Sequence, residues 1–177
     1  MAENDSTPNK RIHKLPSLDR VRDVLDYDPA TGIFRWKKRL TNRVRVGEEA
    51  GSLMAIGYVN ITIDGCHCYG HRLAWIYVHG VWPTDEIDHI NTIRTDNAIA
   101  NLREATRIQN NQNMPKSRAN TSGVKGVWWN RKLQKWTASI SVNNRHKYLG
   151  MYPTIEEAKA AYEKAARTLF GKYARLE

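Results

Sequence analysis

Asp88 and His89 stand side by side at the end of an apolar run, and Asn101 and Asn110 follow at +12 and +21 from the histidine. A hard carboxylate beside an imidazole supplies two groups that phosphodiester hydrolysis needs. The carboxylate can hold a divalent cation against the scissile phosphate, and the imidazole can accept a proton from the attacking water. In Thr106-Arg107-Ile108-Gln109-Asn110-Asn111, Thr106 is placed to cap a helix, so the Asn110 amide oxygen could close the cation site from a helix facing the strand. The spacing predicts strand, loop and helix around one ion. Taken alone, the pair also has a plainer reading, a surface aspartate and a helix-capping asparagine, because neighbouring strand residues point to opposite faces.

The longer run Ile87-Asp88-His89-Ile90-Asn91, Thr95-Asp96-Asn97, Asn101-Leu102-Arg103 and Asn110-Asn111 resembles the HNH endonucleases of the phage and intron homing type. That resemblance implies a ββα-metal core with Asp88 and Asn110 as metal ligands, His89 as general base, and Mg2+ or another divalent cation such as Mn2+ as cofactor. It gives Asn101 the task of tying the loop between strand and helix through side-chain to backbone hydrogen bonds, which orients His89. Double-stranded DNA is the implied substrate, cut to 5′-phosphate and 3′-hydroxyl ends. One site cuts one strand, so a double-strand break needs a second chain or a second encounter, and dimerisation would meet that need. The sequence departs from the family after Asn91, where Thr92-Ile93 replace the commoner Asp-Gly turn. Upstream, Tyr27-Asp28-Pro29, Thr31-Gly32-Ile33-Phe34-Arg35-Trp36-Lys37 and His71-Arg72-Leu73-Ala74-Trp75 look like the lead-in of phage HNH proteins, extending the resemblance over 18–113. His71, first residue of a predicted helix, reads either as a cap or packing residue or as a group reaching the metal or the phosphate.

These residues need a scaffold. Residues 1–17 are polar, with Pro8, Pro16 and the basic Lys10-Arg11-Ile12-His13-Lys14, and are expected to be a flexible basic tail. Ser17 precedes Leu18, Val21, Val24 and Leu25 at helical spacing, predicting a short helix in the segment that ends at Asp28-Pro29. Ile33 to Lys37 alternates as a strand, and Tyr58 to Ile63, the Asp64-Gly65 turn and Cys66 to Tyr69 form a hairpin. His71 to His79 is a helix ended by Gly80, and Pro83 leads into the Asp88-His89 strand. Cys66 and Cys68 are the only cysteines, and they read as small packing residues of a reducing compartment rather than as a disulfide or zinc pair.

Residues 114–121 are a turn-rich linker. Beyond it, Trp136, Ala138, Ile140 and Val142 alternate with Thr137, Ser139 and Ser141, a half-buried strand of an antiparallel sheet. Val124 to Trp129 should precede it and Lys147 to Gly150 follow, with Asn143-Asn144 at the turn between. Thr154 with Glu157 predicts a capping box, and Ala158, Ala161, Tyr162, Ala165, Leu169 and Phe170 give a helix with a small-residue stripe that ends at Gly171. The fold class is therefore α+β: an N-terminal HNH unit, then a three-stranded antiparallel sheet packed on one helix. Once that helix covers one face of the sheet, the other is small and polar, flanked by Lys125, Trp128, Arg131, Lys132, Arg145 and Lys147. Such a face can enter a major groove or can simply be solvated.

Lys125-Gly126-Val127, Lys135-Trp136-Thr137-Ala138-Ser139-Ile140, Tyr148-Leu149-Gly150-Met151-Tyr152 and Glu156-Glu157-Ala158 are similar to the plant ethylene-response-factor (Apetala-type) DNA-binding domain, over 122–177. Position by position, the resemblance places Lys125, Trp128, Asn130, Ser139, Ser141, His146 and Tyr148 at groove-facing sites and Trp136, Ala138 and Ile140 in the core. Several family arginines are here Trp, Asn and Ser, so the family's target sequence does not carry over.

Charge agrees with a polyanionic partner. The chain of 177 residues has 28 Lys and Arg against 18 Asp and Glu, net +10, and residues 121–177 hold 11 against 4, net +7. No apolar run is long enough to span a membrane and no apolar signal region opens the chain, so a soluble protein of the cytoplasm, the host's if phage-encoded, is expected. The reading is a metal-dependent, sequence-selective homing-type endonuclease. Its rivals are a non-catalytic DNA-binding regulator and an RNA-binding protein, the latter disfavoured by the few stacking aromatics on the sheet face.

Overall fold

The computed structural model describes residues 14–143 and 145–176. The expected N-terminal tail lies almost wholly outside the described residues, as does Asn144 of the expected turn. The chain folds into two units. One takes the described residues up to Trp82 together with Arg94–Ala100, and the other takes Pro83–Ile93 and the chain from Asn101 onward.

In the first unit, α1 (Leu18–Val24) starts where Ser17 Oγ accepts from the Arg20 amide. It stops at Val24, earlier than the helical spacing suggests, because Leu25 turns extended and opens β1 (Leu25–Tyr27), paired antiparallel with β2 (Phe34–Trp36). Val21, Val24 and Leu25 are fully buried either way, so periodicity alone cannot locate the break. Then come β3 (Ser52–Leu53), β4 (Val59–Ile63) and β5 (Cys66–Tyr69), an antiparallel sheet in the order 3-4-5. The β4–β5 turn uses Asp64 and Gly65, both at positive φ, the geometry a two-residue hairpin loop requires. Finally α2 (Gly70–His79) ends on left-handed Gly80. Ile61, Ile63 and Leu73 are fully buried with α1, each contributing roughly 1.5–3 kcal/mol by leaving water. Cys66 and Cys68 are buried free thiols, and burial pushes the Cys68 thiol up to about 12.

The second unit contains β6 (Glu86–His89) paired antiparallel with β7 (Leu102–Ala105), followed by α3 (Arg107–Gln112). A sheet of β8 (Val127–Asn130), β9 (Lys135–Val142) and β10 (Arg145–Tyr152) in the order 10-9-8 follows, and it packs on α4 (Ile155–Phe170). The architecture is α+β. Val127, Ala138, Ile140, Ala158, Tyr162, Ala166 and Phe170 form the core between sheet and helix. At Gly126, φ is +71°, and a Cβ would lie 2.4 Å from both the Ser139 carbonyl oxygen and the Tyr162 ring, so only glycine lets α4 approach this closely. Thr154 Oγ1 accepts from the Glu157 amide at the start of α4. Among the described residues no helix is long and apolar enough to cross a membrane.

Candidate active site

Strand alternation puts Glu86 and Asp88 on one face of β6 and Ile87 and His89 on the other. One turn of α3 and its end bring Asn110 and Asn113 against the first face. Asn110 Nδ2 donates to Glu86 Oε2 (2.7 Å), and Asn113 Nδ2 donates to both Asp88 oxygens (3.0 and 3.1 Å) and to the His89 carbonyl (2.9 Å). Across the hairpin, Arg103 Nε and Nη2 donate to Asp88 Oδ2 at 2.9 and 2.7 Å. Asp88 is 4% exposed, and a carboxylate this deep needs such donors to replace its lost hydration. The helix is set by a capping box in which Thr106 Oγ1 accepts from the Gln109 amide and the Gln109 side chain accepts from the Thr106 amide.

His89 closes β6 and is buried. Its loop is closed by Asn101, whose Oδ1 accepts from the Asn91 amide and whose Nδ2 donates to Asn91 Oδ1, both at 2.9 Å. His71 belongs to the other unit, where it is buried at the start of α2 with its ring stacked on Tyr69 (5.4 Å, 11°) and tilted against Tyr58 (5.0 Å).

Sequence reasoning missed Glu86, Arg103 and Asn113. Glu86 was legible from the two-residue strand period, which sets it on the face of Asp88. The other two act across the hairpin and from the last turn of α3, where no local pattern marks them. Glu86, Asp88, Asn110 and Asn113 together offer hard oxygen donors of the kind Mg2+, Mn2+ or Ca2+ take, so the residues suit a hard divalent cation by donor chemistry. Among the described residues no three His, Cys, Asp or Glu side chains cluster as a metal site, so the amides must take part in any such site.

The second surface is the face of the β8–β10 sheet away from α4. The register aligns Trp128 with Thr137, Ser139 with Tyr148, and Ser141 with His146, and Ser141 Oγ lies 3.0 Å from His146 Nδ1. Trp128 and Tyr148 are 45% and 58% exposed. Asn130 shares that face, but its Oδ1 accepts from the Lys132 and Leu133 amides and so shapes the turn that exposes Arg131. Arg145 and Lys147 pair with Val142 and Ile140, so they are exposed on the α4 side of the sheet rather than on its open face. Lys125 is half-buried: its Nζ donates to the carbonyls of Gln112 (3.1 Å) and Met114 (2.7 Å), and burial lowers its pKa.

A hairpin carrying Asp-His on its first strand and a capped helix behind it is the arrangement expected of HNH nucleases, and residues 68–112 match the HNH endonuclease family. Residues 122–172 match the AP2 domain, so the chain combines an HNH segment with an AP2-type segment. Protein 3.8 of Escherichia phage T7 is 29% identical over 107 residues, covering 60% of this chain and 88% of that protein. An uncharacterized HNH endonuclease of Acanthamoeba polyphaga mimivirus is 33% identical over 106 residues, 59% of this chain and 54% of its own length. Dehydration-responsive element-binding protein 2A of Arabidopsis thaliana is 40% identical over 62 residues, 34% of this chain and 17% of that protein. No solved structure matches the chain.

Proposed function

We propose that this chain is a divalent-metal-dependent, sequence-selective DNA endonuclease of the homing type, in which β6, β7 and α3 hydrolyse the phosphodiester and the open face of β8–β10 holds the duplex. The observation that carries this reading is the meeting of Glu86 and Asp88 on one strand with Asn110 of α3 and Asn113 at its C-cap, where Asn113 also reaches the backbone carbonyl of His89. Asp88 and Asn110 would hold the cation, with Glu86 within reach of the same site. A bound divalent cation supplies charge stabilisation at the scissile phosphate and the leaving 3′-oxygen. His89 takes the proton of the attacking water at a ring nitrogen, and the Asn101 clasp keeps its loop in place.

The test is plasmid nicking with Mg2+ or Mn2+. Wild type should convert supercoiled to open-circular DNA, and His89→Ala should be slower by roughly 10²–10⁴-fold with unchanged duplex affinity. A variant that nicks at the wild-type rate would remove His89 from the chemistry. A second reading, a DNA-binding regulator without catalysis, is favoured by one specific observation: Arg103 and Asn113 already engage the Asp88 carboxylate. Wild type that binds duplex DNA but never nicks it with either metal selects that reading.

A further inference from the structure

Arg103 has a second set of contacts. Its Nη1 donates to the Lys172 carbonyl (2.6 Å), and its guanidinium carbon lies 4.2 Å from the centroid of the Tyr173 ring. The Tyr173 hydroxyl donates to the Glu104 carbonyl (3.1 Å) on the strand that carries Arg103. Arg175 Nη1 donates to Thr92 Oγ1 (2.6 Å), in the loop that follows His89. The segment after α4 thus touches the HNH hairpin at three points. We propose that residues 171–176, which follow α4 and run past the end of the AP2 match, are a positioning element of the nuclease site: they hold Arg103, and Arg103 holds Asp88.

The physical case rests on how a guanidinium is fixed. Arginine on a flexible stem can swing, and its fork orients a carboxylate only if the plane of the fork is itself held. Here the Tyr173 ring covers one face of the fork and the Lys172 carbonyl takes an outer N–H, so the two remaining bonds converge on a single oxygen, Asp88 Oδ2. Asn113 Nδ2 bridges both oxygens of the carboxylate held in this way, at 3.0 Å to Oδ1 and 3.1 Å to Oδ2. The side chains of Arg103 and Asp88 are only 13% and 5% exposed, so water and salt screen the pair little. The inference rests on the nuclease reading above, and it makes the C-terminal segment necessary for cleavage apart from any part in DNA binding.

The experiment compares full-length wild type, Tyr173→Leu, Tyr173→Phe and Arg103→Lys. Leucine keeps apolar bulk but has no ring face, phenylalanine keeps the ring, and lysine keeps the charge of Arg103 without its fork. The readouts are kcat and KM of plasmid nicking, Mn2+ affinity by electron paramagnetic resonance, and duplex affinity in EDTA. Tyr173→Leu and Arg103→Lys should lower kcat at least tenfold and weaken Mn2+ binding severalfold, with KM and duplex affinity within about twofold of wild type. Tyr173→Phe should stay near wild type in all four, since it keeps the stacked ring. Should Tyr173→Leu destabilise the fold, Arg103→Lys decides the matter. Wild-type kcat and Mn2+ affinity in Arg103→Lys and in any folded Tyr173→Leu overturn the proposal while leaving the nuclease reading intact, as does an equal loss in phenylalanine and leucine. A wild type that neither nicks DNA nor binds Mn2+ overturns both.

Discussion

Asn91 and Asn101 clasp each other across the mouth of the β6–β7 hairpin, the side chain of Asn101 accepting from the Asn91 amide and donating to the Asn91 side chain. With the Ile90 amide donating to the Asn101 carbonyl at 2.9 Å, three bonds close the loop just past His89. Asn101→Ala removes two of the three. At roughly 0.5–1.5 kcal/mol per bond, the melting temperature should fall measurably and nicking should fall with it. Asn101→Asp, which keeps the acceptor and loses the donor, should lie between. An alanine variant with unchanged melting temperature and rate would show that the clasp holds nothing catalytic.

The open face of β8–β10 separates two kinds of contact. Trp128→Ala and Tyr148→Ala should change the preference between specific and scrambled duplexes, by roughly 1–3 kcal/mol each, while leaving the salt dependence of log K alone. Arg131→Ala should do the reverse, reducing the salt slope by about 0.9 for one lost phosphate contact. Lys125→Ala should behave like neither: its ammonium serves the Gln112 and Met114 carbonyls, so the loss should appear as a lower melting temperature with an unchanged salt slope. Binding isotherms over a salt series, read beside thermal melts, distinguish the three outcomes.

A pH-dependent ion pair sits in the N-terminal unit. The Arg20 guanidinium, bonded to both oxygens of Asp64 at 2.8 and 2.9 Å, holds the Asp64 carboxyl below its ordinary value of 3.8. A carboxyl with a depressed folded pKa adds stability above its unfolded value and loses it as pH falls through the folded one. Wild type should therefore melt slightly above Asp64→Asn at neutral pH, and the gap should close as pH drops below about 3.8. The gap should be small because the pair is exposed. A gap that persists in acid would place the stabilisation somewhere other than in the ion pair.

Much of this fold is legible in the chain. Strict alternation of Trp136, Ala138, Ile140 and Val142 against polar neighbours could only be a half-buried strand, and β9 runs Lys135–Val142. The strands β1 and β3 were not legible. Leu25–Tyr27 continues an apolar series at helical spacing and becomes a strand only because residues 34–36 pair with it, while Ser52 and Leu53 are too few and too exposed to show a period. In the candidate site, Asp88, His89, Asn101 and Asn110 stand out by their spacing and by the resemblance of the run that contains them to the HNH endonucleases. Arg103 does not, since its meaning depends on a carboxylate across the hairpin and a carbonyl 69 residues away. Lys125 is a groove-facing residue by the resemblance, and its sequence neighbourhood gives no sign of the Gln112 and Met114 carbonyls that its ammonium meets.

One stretch of chain ties synthesis to structure. Arg94–Ala100 lie between β6 and β7 in sequence yet belong to the N-terminal unit. There the Tyr27 hydroxyl donates to the Asn97 carbonyl at 2.8 Å, and Gly32 leaves room for the Asn97-Ala98 backbone, which a Cβ would meet at 2.2 Å. A nascent chain leaving the ribosome therefore cannot finish its first unit from its first 82 residues. It must wait, with Tyr27 lacking its acceptor, until residue 100 has emerged, by which point β6 of the second unit has already been made.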